Sequence, residues 1–273
     1  MAIEINHPKT GERITEYLSP SRVNSFIECQ GEWALKYLYE IETPPPNEKM
    51  KRGSDIEEYL NNNLYKSPKG NPHFEHDIDE DDMPCVHLLL DRMDDLFEHF
   101  SGHLELQNQV TNFNFKIPLI GFIDYRMGTT IFELKTTTRK PVRKPSDNHI
   151  RQVMFYNGWD PEKDDFKLKG TCLIYAILKR EPEIHFWISE DLERIGGFEP
   201  GEYSIISKNQ IMANHVSMKL SLRAMWNHID FYKNNGYSLV PMDFSHYRLS
   251  GYDPQKCMNF MKEKKDKFER GET

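Results

Sequence analysis

The chain is poor in cysteine, and its four cysteines, Cys29, Cys85, Cys172 and Cys257, are scattered over 273 residues with no C-x-x-C pair. They read as reduced thiols, which makes the cytoplasm the default compartment. No H-E-x-x-H pattern occurs, so no zinc-hydrolase helix is expected. No G-x-x-x-x-G-K-[ST] loop occurs either, so any nucleotide-driven motor belongs to another protein. No apolar run is long enough to span a bilayer, and no membrane partner is expected. The opening stretch lacks the basic-then-apolar layout of a signal peptide and carries three glutamates, which argues against a transit peptide. Internal repeats and low-complexity linkers are also missing. What remains, 12% aromatic and 29% charged, is the composition of a globular chain long enough for a sizeable core.

Net charge is −8, which by itself speaks against a nucleic-acid partner, but its distribution says more. Six acids fall in the eight residues of "EHDIDEDD" (75–82), a stretch that reads as a solvated loop. Six Lys or Arg residues and the single acid Asp147 lie between Lys135 and Arg151. A solvated face is the plain reading of such a run, and phosphate contact is the other.

Local patterning places the elements. Residues 19–41 read as a helix with Ser19 as cap, Pro20 at the first position, and Phe26, Trp33 and Tyr37 on one apolar face. Those rings suit base stacking, but their helical spacing assigns them to core. "TPPP" at 43–46 ends that helix. Further helices are expected over 52–65 and 86–100, strands over 103–116 and in a hairpin at 118–137, and a helix near 150–159. Residues 170–179 form the continuous apolar run of a buried central strand. Another strand covers 183–189, a long helix covers 209–235, and the charged tail reads as a frayed helix. The expected fold is α/β in a single domain over 1–273: a helical N-terminal part at 18–100, a core at 101–190 and C-terminal helices at 205–273.

The hairpin raises a physical problem. A two-residue turn at Gly128-Thr129 pairs Met127 with Thr130, Arg126 with Ile131, Tyr125 with Phe132 and Asp124 with Glu133. Directly opposed side chains have Cβ atoms about 4.5–5.5 Å apart, so two carboxylates repel there, more so when partly buried. A divalent cation bridging them relieves the repulsion, and carboxylates with a backbone carbonyl, here that of Leu134, suit Mg²⁺. Lys135 projects from the same face as Glu133 and can hold a water or a phosphate oxygen. A surface hairpin with a charged outer face is the alternative. Against it, Asp124 follows the core-like run "IPLIGFI".

These residues resemble a known family. Gly121 and Asp124, then Glu133 and Lys135, then Gln152 and Tyr156 match the G-x-x-D, (D/E)-x-K and Q-x-x-x-Y order of the RecB-like branch of the PD-(D/E)XK nuclease superfamily. "LSPSRVNSFIECQGEWALKYLY" (18–39) is similar to that family's opening helix, and "KRGSDIEEYL" (51–60) to its G-x-x-x-(H/E) helix. The last places Glu57 near the metal, with its neighbour Glu58 as the other candidate. Relatives that carry an iron–sulfur cluster hold it on one early and three late cysteines. Only Cys29 and Cys257 fit those regions, so no cluster is expected.

The resemblance implies a restriction-endonuclease-like core, a mixed central sheet flanked by helices. It implies Mg²⁺, with Mn²⁺ able to substitute, held by Asp124, Glu133, Leu134 and Glu57. Asp124, Glu133, Lys135, Gln152 and Tyr156 would be catalytic. Thr136, Arg139, Lys140, Arg143, Lys144 and Arg151 would contact nucleic acid. The implied activity is a metal-dependent DNA exonuclease of recombination, repair or phage DNA processing, in a bacterial or phage-infected cytoplasm, with an organellar setting left open. Its substrate would be single-stranded DNA or DNA with free ends, alongside a separate helicase or single-strand-binding protein. A catalytically silent nucleic-acid-binding subunit and an endonuclease of the same fold are the alternatives.

Overall fold

The structure, a computed structural model, describes residues 17–42, 48–65, 78–113, 117–138 and 144–272. The chain divides into two compact units, one comprising 46–214 and the other 1–45 with 215–273.

The unit comprising 46–214 is built on a mixed six-stranded sheet in the order β1-β2-β3-β4-β5-β6. Its strands are Leu104–Asn112, Leu119–Met127, Thr130–Thr137, Thr171–Ile177, Glu183–Ile188 and Tyr203–Ile205. The first three form an antiparallel meander, β3 and β4 are parallel, β4 and β5 antiparallel, and β5 and β6 parallel. Parallel strands need a crossover, and helix α5 (Asp147–Tyr156) supplies it between β3 and β4. Every residue of β4 is buried, which is why it reads as an unbroken apolar run.

Two more helices of this unit, α3 (Glu48–Asn63) and α4 (Met83–Glu98), pack on one sheet face. Ile56 and Leu60 of α3 and Leu89, Met93 and Phe97 of α4 share a cluster with Tyr125, Phe132, Leu134 and Ile174. Asp82, expected in a solvated loop, is instead 2% exposed and holds Arg52 in a two-pronged ion pair. One partnered acid of the run is therefore structural, since a buried carboxylate needs its cation. Residues 75–77 of that run lie outside the described residues.

Gly170, just before β4, has φ +51°, and a Cβ there would sit 2.9 Å from the Thr129 carbonyl. Its own carbonyl accepts from Ile131 N–H at 2.7 Å, tying the hairpin turn to β4. Gly170→Ala combines left-handed strain with a backbone clash, so it is expected to cost about 1–3 kcal/mol, read as a lowered urea midpoint.

The other unit contains α1 (Pro20–Glu28), α2 (Gln30–Tyr37), α7 (Pro254–Glu269) and the part of α6 (Lys208–Asn235) beyond residue 214. Ser19 caps α1 as expected, accepting from Arg22 N–H at 3.2 Å. The single helix expected over 19–41 is broken at Cys29, whose φ of −157° and ψ of 96° are extended. Cys29 N–H closes α1 onto Ser25, and its carbonyl opens α2 by accepting from Trp33 N–H. Phe26 and Trp33 meet edge to face across this break with centroids 4.9 Å apart, burying both rings. The tail is a full helix, α7, capped by the Asp253 carboxylate on Lys256 N–H.

Candidate metal and phosphate site

The hairpin forms in the expected register for three pairs, Met127 with Thr130, Arg126 with Ile131 and Tyr125 with Phe132. The ladder stops there, one pair short of Asp124 and Glu133. Asp124 Oδ2 instead accepts from Leu134 N–H at 2.9 Å, so a carboxylate takes the place of a strand carbonyl.

Glu133 is 1% exposed. Its Oε1 accepts from Lys135 Nζ at 2.7 Å and from Gln152 Nε2 at 2.5 Å. Gln152 Nε2 also donates to the Tyr156 hydroxyl at 2.9 Å, and that hydroxyl donates to the Phe122 carbonyl at 2.7 Å. Gln152 and Tyr156, one turn apart on α5, therefore form a brace from β2 to Glu133. Glu133 Oε2 is buried and has no hydrogen-bond partner. A carboxylate oxygen in the interior without a protein donor is costly, and either a proton shared with the neighbouring Asp124 or a cation offsets that cost.

Electrostatics follow from burial. The Glu133 carboxyl is pushed up to about 8: burial raises it most, the Lys135 ammonium opposes, and Asp124 raises it further. Asp124 is raised too, by burial first, with Lys135 and the Leu134 N–H pulling it down. Burial opposes the Lys135 ammonium, yet Glu133, Asp124 and then Glu57 together hold its pKa above the usual lysine value.

Three residues that the sequence did not single out complete the surroundings. Tyr175 on β4, opposite Lys135 in the ladder, accepts from Ser146 N–H at 3.1 Å. Its hydroxyl is also hydrogen-bonded to His149 Nδ1, 2.6 Å away, which holds the imidazole in place beside β4. Burial, then Lys135 and Arg151, push His149 down to about 3, so it is a neutral donor at working pH. Gln107 on β1 faces Asp124 and donates from Nε2 to Glu57 Oε1.

The remaining expected residues separate clearly. Glu57 lies close enough to raise Lys135, and its Oε1 accepts from Gln107. No group of three or more His, Cys, Asp or Glu side chains placed to hold a metal occurs among the described residues. Leu134 is buried with its side chain in the α3–α4 cluster. Gly53 brings α3 down onto Thr136, whose Oγ1 would lie 3.0 Å from a Cβ at that position. Lys144 is exposed, 4.0 Å from Asp147. Arg151 requires correction: it is 5% exposed, and its guanidinium is held by Asn148 and Asn214, so it offers no surface to a phosphate. Arg139, Lys140 and Arg143 lie outside the described residues. His99 and His103 are spaced H-x-x-x-H, but one follows α4 and the other precedes β1, so they share no helix face.

The pKa directions set a pH dependence for the metal-free protein. Glu133 takes up a proton on folding between its ordinary 4.5 and about 8, so its contribution to stability is full at acid pH and is lost as pH rises through 8. His149 acts oppositely between about 3 and 6.5, because only the unfolded chain is protonated there. The two offset below pH 6.5. Between pH 6.5 and 8 the metal-free protein is expected to lose stability, measured as a falling urea midpoint at constant slope.

No helix among the described residues is long and apolar enough to cross a membrane. No family model matches the chain, and no curated protein matches it either. Among solved structures, the chain is similar to a protein from Eubacterium rectale named "Putative exonuclease". The two are 13% identical, with 78% of this chain and 80% of that one covered and a TM-score of 0.47. At that TM-score the likeness decides nothing about chemistry; the residues of the site must.

Proposed function

We propose that this chain is a metal-dependent nuclease that hydrolyses phosphodiester bonds of DNA from free ends, with Mg²⁺ as cation and Mn²⁺ able to replace it. The observation that carries the reading is Glu133: fully buried, braced on one oxygen by Lys135 and Gln152, and left without a partner on the other beside Asp124. A charged surface hairpin would not bury its glutamate, nor build a two-residue brace from another helix to hold it. The donor set, two carboxylates and the Leu134 carbonyl, fits a hard, oxygen-seeking cation. Bound there, the cation would lower the pKa of an attacking water and neutralise charge on the scissile phosphate.

The protein's own groups supply the rest. Lys135 is 20% exposed at its side chain, so its ammonium can leave Glu133 for a water or a phosphate oxygen without crossing the core. It would orient the water and offset negative charge developing on phosphorus. Gln152, held by Tyr156, fixes the rotamer of Glu133. The neutral His149, one turn before Gln152 on α5, is held by Tyr175 within electrostatic reach of Lys135 and carries one ring N–H able to donate. Thr136, Lys144 and the basic residues between them are the candidates for flanking phosphates, which reconciles a net charge of −8 with a polyanionic substrate. Such an enzyme fits DNA recombination, repair or phage DNA processing.

The test uses 5′- and 3′-end-labelled linear DNA, single- and double-stranded, and circular single-stranded DNA, with Mg²⁺, Mn²⁺ or EDTA. Loss of linear but not circular DNA, abolished by EDTA, is the expected result. Cleavage of the circle would make the enzyme an endonuclease. Binding without cleavage of any substrate would overturn the catalytic reading in favour of a silent binding subunit.

A further inference from the structure

Gln107 has three unusual features, and they coincide. First, it takes φ +49° in the middle of β1, a left-handed conformation that non-glycine residues rarely adopt inside a strand. Second, it falls opposite Asp124 at the single gap in the β1–β2 ladder, between Leu106 paired with Tyr125 and Asn108 paired with Ile123. Third, its Nε2 donates to Glu57 Oε1, which reaches it from α3.

The core shows what the backbone reversal does. Leu104 and Leu106 on β1, and Tyr125 and Met127 on β2, pack in the cluster with α3 and α4. Val110 and Ile123, which strict alternation would place on that same face, pack instead with Ile131 and Tyr156. Both strands change face at the Gln107–Asp124 position. Asp124 is thereby turned toward Glu133 and α5, while Glu57 comes from α3, whose Ile56 and Leu60 belong to the opposite face. Gln107 stands at the seam between them.

We infer that Gln107 is a positioning residue of the cation site: its carboxamide couples the Glu57 carboxylate to Asp124, so that Glu57 acts on the bound ion through Gln107 and not as a ligand. The inference rests on the metal-dependent reading above. Its chemistry is that of a neutral bridge between two anions, with one amide hydrogen committed to Glu57 and the other available to Asp124. Outer partners of this kind typically change metal affinity by about 10–100-fold when removed.

The test is calorimetric titration of the full chain with MnCl₂, comparing the parent with Gln107→Gly, Gln107→Met, Glu57→Gln and the double variant Gln107→Gly/Glu57→Gln. Glycine keeps the φ > 0 backbone at no steric cost, and methionine keeps the side-chain bulk; neither carries an amide. Mn²⁺ affinity is expected to fall about tenfold or more in both Gln107 variants, with the Gln107→Gly melting temperature no lower than the parent's. The double variant should bind no more weakly than the weaker single, because both changes cut one linkage. Unchanged Mn²⁺ affinity in Gln107→Gly and Gln107→Met would overturn the inference while leaving the metal-dependent reading standing. So would multiplicative losses in the double variant. A parent chain that binds no Mn²⁺ would overturn both.

Discussion

Glu133→Gln is expected to abolish cleavage and Mn²⁺ binding together, while the protein stays folded. The substitution preserves volume in a fully buried position and keeps an oxygen able to accept from Lys135 and Gln152. What it removes is the capacity for negative charge and the second carboxylate oxygen, to which no protein group donates. The expected loss in turnover is on the order of a thousandfold or more, since charge stabilisation in a water-poor site is usually the largest catalytic contribution. The same variant should also flatten the urea midpoint between pH 6.5 and 8, because the group that titrates in that window is gone. Cleavage within a few fold of the parent would remove Glu133 from the chemistry. A flat pH profile with normal cleavage would leave it a structural acid only.

Lys135→Ala is expected to separate metal binding from turnover. The ammonium contacts Glu133 but is itself no cation ligand, so Mn²⁺ should still bind. Cleavage should fall roughly 100- to 1000-fold, the range seen when one preorganised donor to a developing negative charge is deleted. Without Lys135, Glu133 loses the contact that holds its carboxyl down, so the metal-free variant should stay protonated to higher pH than the parent. The competition between proton and metal for one carboxylate then makes Mn²⁺ binding to the variant steeper in pH. Lys135→Arg should not restore full activity, because a planar fork cannot replace a compact ammonium in this pocket. Comparison with Glu133→Gln is informative: one variant should lose the ion, the other only the use of it. Equal loss of Mn²⁺ binding in both would assign Lys135 to holding the carboxylate and not to the substrate.

Much of this site was legible in the sequence, for definite reasons. Alternation and a Gly-X turn fix hairpin register, so Glu133 and Lys135 had to share a face. The four-residue spacing of Gln152 and Tyr156 put both on one side of α5, and the structure aims that side at Glu133. What was not legible depends on pairing between distant segments. Gln107 reads as one polar residue in an alternating strand; its part emerges only from a positive φ and a partner 17 positions away in the ladder. His149 and Tyr175 lie on different elements, and only the parallel pairing of β3 with β4 brings them to Lys135.

Charge runs misled in both directions. Arg151 sits in a basic run but falls on the inner face of α5 between buried Ile150 and Val153, and Asp82 ends an acidic run but is buried against Arg52. Sign and density of charge describe a stretch on average; burial is decided residue by residue. The break at Cys29 was hidden for a related reason. The apolar periodicity of 19–41 continues across it, and no proline or glycine marks the one residue that leaves helical geometry.

The role proposed for the buried charges of the hairpin is to hold a cation where a phosphate can reach it. Crystals grown with Mn²⁺ test it most directly, through the anomalous scattering of the ion. The expected result is a single strong peak, or a pair, between the Asp124 and Glu133 carboxylates and the Leu134 carbonyl, with Lys135 Nζ released from Glu133 toward the ion's water. Occupied Mn²⁺ elsewhere, with Glu133 still bound to Lys135 and Gln152 and no density between the carboxylates, would contradict it.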